Sequence, residues 1–202
     1  MKQTYYLPVV ETFYSIQGEG YHSGRAAFFI RLGGCDVCCT WCDEKKSWDD
    51  SIYPKYEIND IVMSAIESKA KAVIVTGGEP FRYDMTALTK LFKQNNFYTS
   101  VETSGTEPLT GIWDWITLSP KKNSPPLEKF YKIANEIKVV IQNKEDFLWA
   151  EKNQELVNTN CVKYLQPEWS NFNNIIQEII RYIKSNQQWR LSVQTHKFLN
   201  IQ

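Results

Sequence analysis

Nothing in this sequence approaches the roughly 20 consecutive apolar residues needed to cross a bilayer. Its start, Met1-Lys2-Gln3-Thr4-Tyr5-Tyr6, lacks the apolar stretch of a secretory leader. Excess charge of one sign is missing too. The 23 basic residues balance 23 acidic ones, which argues against a broadly basic nucleic-acid surface or a polybasic membrane anchor. Histidine is scarce, with only His22 and His196, so a zinc site of paired cysteines and histidines has little to draw on. No repeat, low-complexity tract or flexible linker divides the chain. The expectation is a cytoplasmic protein forming one domain over 1–202. At 202 residues with 43% apolar content, the chain can bury a real core and is not an extended disordered one.

Cysteine is where the sequence becomes specific. Four of its five cysteines fall within Cys35-Asp36-Val37-Cys38-Cys39-Thr40-Trp41-Cys42. Such clustering is poor geometry for a disulfide framework, and in a reducing compartment it points to metal or cluster ligation. Two triads are available, Cys35/Cys39/Cys42 and Cys35/Cys38/Cys42. Three thiolates can hold a cubane 4Fe–4S cluster and leave one iron open to a substrate or cofactor. Structural zinc usually takes four ligands in two separated pairs, and four thiols of one short loop on one zinc would strain it. A zinc-stabilised binding module is therefore the non-catalytic alternative. Cys161 stands apart and is expected in the core.

Short apolar runs alternate with amphipathic stretches. Strands are expected at Ala26–Leu32, Ala72–Thr76, Tyr98–Thr103, Trp115–Leu118, Glu136–Ile141, Cys161–Leu165 and Trp189–Gln194, with an earlier one near Pro8–Ile16. Ile58, Ile61, Val62, Ala65 and Ile66 make one helical stripe. Asp84 can cap a helix carrying Leu88, Leu91 and Phe92, and Ile175, Ile176, Ile179, Ile180 and Ile183 mark another. Alternating strands and helices imply a mostly parallel sheet. Nearly every strand is followed by a glycine, proline or polar cluster. In such a sheet these loops share one rim, where α/β proteins bind ligands.

The three-then-two cysteine spacing, with the aromatic Trp41 before the last cysteine, resembles the signature of radical S-adenosylmethionine enzymes. That resemblance selects Cys35, Cys39 and Cys42 as cluster ligands and leaves Cys38 a bystander. Gly77-Gly78-Glu79-Pro80, after the next strand, is similar to the same family's methionine-binding motif. The resemblance narrows to the 7-carboxy-7-deazaguanine synthases and covers almost the whole chain. Glu11–Gly20, Gly24–Cys35, Glu102-Thr103-Ser104-Gly105, Ser119-Pro120-Lys121, Gln166-Pro167-Glu168 and Gln194-Thr195-His196-Lys197 follow in family order.

What the resemblance implies is concrete. The fold would be α/β, an open, abbreviated TIM-like barrel of mostly parallel strands with crossover helices. The reaction would convert 6-carboxy-5,6,7,8-tetrahydropterin to 7-carboxy-7-deazaguanine with loss of ammonia. A 4Fe–4S cluster and S-adenosylmethionine would generate a 5′-deoxyadenosyl radical, which the protein orients and shields. Cofactor contacts would fall on Trp41, Cys42, Asp43, Gly78, Glu79, Gly105, Ser119, Pro120, Lys121, Gln166, Pro167, Glu168 and Trp169. Substrate contacts would fall on Ile16, Gln17, Gly18, Arg31, Thr103, His196 and Gln202. A guanidinium at Arg31 suits the pterin carboxylate, and Gln17 and Glu19 suit the edge of the ring. His22 is expected to be a loop residue.

One departure concerns magnesium. The family commonly has Cys-Asp-Thr, its hydroxyl on Mg²⁺, where this chain has Cys42-Asp43-Glu44-Lys45. Glu44, a hard oxygen ligand, becomes the candidate for that ion. A small electron donor such as flavodoxin and a homodimer are further implications. A glycyl-radical activase shares the cysteine motif and approximate size, but the Gln17–Gly20 loop and Gln194–Lys197 tail weigh against it.

Overall fold

Alternation along each strand decides which face is dry. In β2 (Ala26–Leu32), Phe28, Ile30 and Leu32 join the main core, while Phe29 and Arg31 face a cavity on the other side. The pattern repeats in β4 (Ala72–Gly77), β5 (Tyr98–Thr103), β6 (Trp115–Leu118), β7 (Glu136–Ile141) and β8 (Val162–Pro167). Val73, Val75, Val101, Leu118, Ile137, Val139, Ile141 and Leu165 are buried in that core. Thr76, Glu102, Thr117, Glu136, Lys138 and Gln166 line cavities instead. One face of the sheet is aliphatic; the other is largely polar, with a small apolar cluster of Ala27, Phe29, Ala72 and Ile74.

The computed structural model describes residues 5–202, so that part of the leader reading resting on Met1–Thr4 lies outside the described residues. β1 (Tyr6–Ile16), β3 (Lys55–Glu57) and β9 (Trp189–Leu191) complete a nine-stranded sheet of order β3-β1-β2-β4-β5-β6-β7-β8-β9. β1 runs antiparallel to β2 and β3, and every other neighbouring pair is parallel. β3 and β9 lie at opposite edges of the sheet and do not pair with each other, so the barrel stays open, as expected of an abbreviated α/β barrel.

The aliphatic face is covered by α1 (Ile58–Glu67), α2 (Thr86–Gln94), α3 (Glu128–Ile133), α4 (Glu145–Gln154) and α5 (Phe172–Ser185). Ile58, Ile61, Val62 and Ala65 bury the expected stripe of α1, whereas Ile66 lies exposed at its edge. Asp84 Oδ1 accepts the Thr86 N–H at 2.9 Å and so caps α2 from one residue before its N-cap, Met85. Cys161 is buried in the core. No helix among the described residues is long and apolar enough to cross a membrane.

The polar face is closed by the loop of residues 17–25 between β1 and β2. It reaches over the concave side and fastens near the open edge. The Thr195 N–H donates to Gly18 O at 3.0 Å, and the Gly20 N–H to Ser192 Oγ at 3.0 Å. Tyr21 stacks on Trp115 with ring centroids 4.8 Å apart, and His22 meets Tyr98 and Trp115 edge-on. His22 thus lines a small inner cavity and is more than an ordinary loop residue. A last short helix, α6 (Thr195–Leu199), brings the C-terminus back to β1, where the Ser15 hydroxyl donates to Gln202 O at 2.5 Å.

Candidate functional site

Two adjoining cavities open on the polar face. One, of about 290 Å³, is lined by Ile16, Gln17, Gly18, Arg31, His196 and Gln202, with Phe13 and Phe29 stacked beside them. The other, of about 200 Å³, is lined by Cys35, Cys39, Cys42, Trp41, Gly78, Ser119, Lys121 and Gln166. Glu19, Asp43, Glu44, Thr76, Glu102 and Gln194 border both. The two clusters of expected residues therefore meet along a shared seam.

The loop after β2 sets the thiols. Cys35, Cys39 and Cys42 face the second cavity, whereas Cys38 is exposed, holds φ at 45° and donates its thiol to Cys35 O at 3.1 Å. Burial raises the Cys35 thiol, opposed by the N–H groups of Cys38 and Val37. Burial raises Cys39 as well, opposed by the Lys121 ammonium. The Glu44 N–H donates to Cys42 Sγ at 3.4 Å. Amides aimed at sulfur favour thiolate, so the donor set suits three thiolates around a cluster. Among the described residues, no three His, Cys, Asp or Glu side chains converge closely enough to share one metal ion.

The Gly77-Gly78 turn has a packing reason. A Cβ on Gly78 would stand 2.0 Å from Gly34 O, and one on Gly77, at φ 113°, 2.3 Å from Leu32 O. The Gly78 N–H bonds Leu32 O at 2.8 Å and the Glu79 N–H bonds Gly34 O at 2.7 Å, which fastens the thiol loop to β4. Glu79 itself is buried and lines neither cavity. Its carboxylate accepts from Thr103 Oγ1 (2.6 Å), the Ser104 N–H (2.8 Å), the Ser104 hydroxyl (2.5 Å) and the Phe81 N–H (3.2 Å). It clamps β4 to β5 here and leaves no oxygen free for an ammonium.

Other expected contacts also stand apart from the cavities. Gly105 turns the chain beside Leu118, and Glu168 caps the turn at 169–171 through Ser170 and Asn171. Pro120 borders a separate groove with Lys122 and Trp149. Pro167 ends β8, and Trp169 packs on Phe172 and Phe198 under the Lys197 ammonium. Thr103 borders the thiol cavity and not the one holding Arg31.

Arg31 Nε donates to Glu11 Oε1 at 2.8 Å and lies 3.7 Å from Glu44 Oε2. Glu44 offers one hard oxygen on the seam, enough for a cation completed by waters and a substrate carboxylate. Asp43, next to Cys42, accepts from Gln194 Nε2 (2.7 Å) and Lys197 Nζ (2.9 Å), tying the C-terminal segment to the thiol loop.

The spacing of motifs missed a buried charge cluster. Lys138, 5% exposed, is ion-paired with Glu19, which Gln194 Nε2 also reaches at 2.9 Å. Burial pushes Glu19 up, but Lys138, with Gln194 and His196, outweighs it and holds the carboxyl at about 2. Gln17 Nε2 donates to Glu102 at 2.8 Å, and Thr76 bonds the same carboxylate at 3.2 Å. Glu136, 3% exposed, receives the Tyr21 N–H (3.1 Å) and Trp115 Nε1–H (3.3 Å) on one oxygen. Burial pushes its carboxyl up to about 7. The alternation of polar residues on β5 and β7 was the available signal.

The Glu136 shift has a stability consequence. A carboxyl raised on folding contributes stability that is fully present below its unfolded value and lost as pH climbs through about 7. Glu136→Gln is expected to be near neutral at pH 5 and to stabilise the protein by about 2–3 kcal/mol at pH 8. Urea unfolding at the two pH values checks this, and equal effects at both would refute it.

Residues 29–117 match the radical SAM superfamily. A 7-carboxy-7-deazaguanine synthase of Flavobacterium psychrophilum is 50% identical over 195 residues, covering 96% of this chain and 92% of that protein. One from Synechocystis is 46% identical over 194 residues, covering 96% and 93%. The crystal structure of QueE from Escherichia coli superposes with a TM-score of 0.83 over 94% of each chain, at 31% identity. Streptococcus suis SuiB bound to S-adenosylmethionine, at 16% identity and a TM-score of 0.52 over 79% of this chain, shares the fold alone.

Proposed function

The chain belongs to the 7-carboxy-7-deazaguanine synthases of the radical SAM superfamily, and from that premise we propose how its residues divide the work. It is a lyase of queuosine biosynthesis that uses a 4Fe–4S cluster and S-adenosylmethionine, turning 6-carboxy-5,6,7,8-tetrahydropterin into 7-carboxy-7-deazaguanine and ammonia. When bound, cluster and cofactor supply the one-electron chemistry that starts the rearrangement. The adjoining cavities carry our assignment: thiols on one side, a guanidinium and amides on the other, with a shared seam.

Cys35, Cys39 and Cys42 hold the cluster. Trp41, Asp43, Gly78, Ser119, Lys121 and Gln166 enclose the cofactor. Burial lowers the Lys121 ammonium's pKa, partly offset by Cys39, and the ammonium bonds Ser119 Oγ at 2.5 Å, so it is positioned for an anionic group. Arg31 takes the substrate carboxylate, while Gln17, Glu19, His196 and Gln202 hold the ring and keep water out. Glu79 positions the loop after β4, and Thr103, which holds Glu79, lines the cofactor cavity rather than the substrate one. Glu44 would hold Mg²⁺, displacing Arg31 toward the substrate. A flavodoxin-like donor, a homodimer and a cytoplasmic location complete the reading, supported by family membership. A continuous sheet among the described residues 5–202 supports a single domain.

The test is turnover. Anaerobically reconstituted protein, reductant and S-adenosylmethionine should convert the carboxytetrahydropterin to the deazapurine with release of ammonia. A cluster-loaded protein that forms none would discard the reading, and hydrogen abstraction from a partner protein's glycine would favour the activase. Arg31→Ala should raise KM for the pterin by roughly 10- to 100-fold, the loss of a charge-assisted bidentate contact, with the cluster spectrum unchanged. A collapsed spectrum would make Arg31 structural.

A further inference from the structure

Among the described residues, one buried side-chain nitrogen or oxygen lacks a hydrogen-bond partner, and it is Trp48 Nε1. Burial strips away the water that would otherwise accept, so buried donors are nearly always paired. An orphan donor marks either a tolerated defect or a partner that the polypeptide does not supply. The surroundings distinguish these.

Trp48 borders the thiol cavity beside Cys35, Val37, Cys39, Cys42 and Ser47. Its backbone is fixed to the thiol loop. The Cys35 N–H donates to Trp48 O at 3.1 Å, and the Gly34 N–H to Ser47 O at 2.7 Å. The Ser47 hydroxyl holds Glu44 O at 2.8 Å. An otherwise unused N–H is therefore tethered to the loop that carries all three expected ligands. Lys121, a cation lining the same cavity, is the stronger partner for a cofactor carboxylate. A neutral indole N–H is left for a soft acceptor.

We propose that the Trp48 indole N–H donates a hydrogen bond to a sulfur of the bound cluster. Trp48 is then a positioning residue that also tunes the cluster, because hydrogen bonds to sulfur spread the added electron's charge and favour the reduced state. The inference rests on Cys35, Cys39 and Cys42 being the ligands.

Trp48→Phe keeps an aromatic ring and deletes the donor, and Trp48→His returns a ring N–H. Midpoint potentials of the reconstituted proteins, measured by EPR-monitored titration without S-adenosylmethionine, carry the test. Trp48→Phe should shift to a more negative potential, with Trp48→His moving back toward wild type. Trp48→Phe also removes part of the indole ring, so the cluster-free variant is expected to fold and to melt slightly below cluster-free wild type through lost packing alone. An unchanged potential in an intact Trp48→Phe cluster overturns the proposal. So does a shift seen only after cofactor is added, which would make the acceptor the cofactor. If Trp48→Phe retains no cluster, retention by Trp48→His supports the proposal and loss in both overturns it. Failure of wild type to assemble a cluster is a separate result, and it defeats the ligand assignment itself.

Discussion

Cys39→Ala is expected to abolish cluster assembly, taking iron from about four per chain to almost none, whereas Cys38→Ala should assemble nearly as wild type. The two residues are adjacent, yet the backbone separates them. A φ of 45° at Cys38 turns its thiol outward onto Cys35 O, away from the thiol cavity. Cys39 lines that cavity, where its charge is felt by Lys121, Cys42 and Cys35. A non-glycine residue holds a positive φ only where its surroundings demand it, and the demand here is to send one of two neighbouring sulfurs out. Iron and sulfide analysis after anaerobic reconstitution reads the result directly. The reverse outcome would make Cys35, Cys38 and Cys42 the triad.

Much of this was legible because the relevant signals are local. The β2 and β4 runs are written as short, nearly continuous apolar stretches, and the cysteine and Gly77-Gly78 motifs follow them at short range. α4 was not legible, because its buried face includes Asp146 and Asn153. Asp146 accepts the Gln142 and Asn143 N–H groups at 2.7 and 3.0 Å, an internal cap that breaks the apolar period. β3 is only three residues and borrows its order from β1. For Glu79 the motif told only part of the story. Its motif announces a carboxylate near the site, but only the distances to Thr103, Ser104 and Phe81 show that this carboxylate is already occupied. Trp48 and Lys138 carry no motif at all. One is distinguished by the hydrogen bond it lacks, the other by partners far away in sequence.

Lys138→Met is expected to destabilise the cluster-free protein by roughly 3–5 kcal/mol, because removing one member of a buried pair strands the other charge. Burial alone would lower the Lys138 ammonium, but Glu102, Glu19 and Glu136 outweigh it and raise it. In wild type Glu19 lies near 2, well below its ordinary 4.5. Its contribution is therefore complete above pH 4.5 and lost only as pH falls toward 2. With Lys138 gone, burial, the largest influence, is opposed only by Gln194 and His196, and the folded-state value is expected to climb above the unfolded one. The sign then inverts, and the variant loses stability as pH rises. The gap between the two proteins should thus be widest at pH 8 and narrow toward pH 5, and adding Glu19→Gln to the variant should recover part of it. Urea unfolding at both pH values decides the matter: a gap under about 1 kcal/mol, or one indifferent to pH, would mean that Lys138 is not the counter-ion anchoring the 17–25 loop on the sheet.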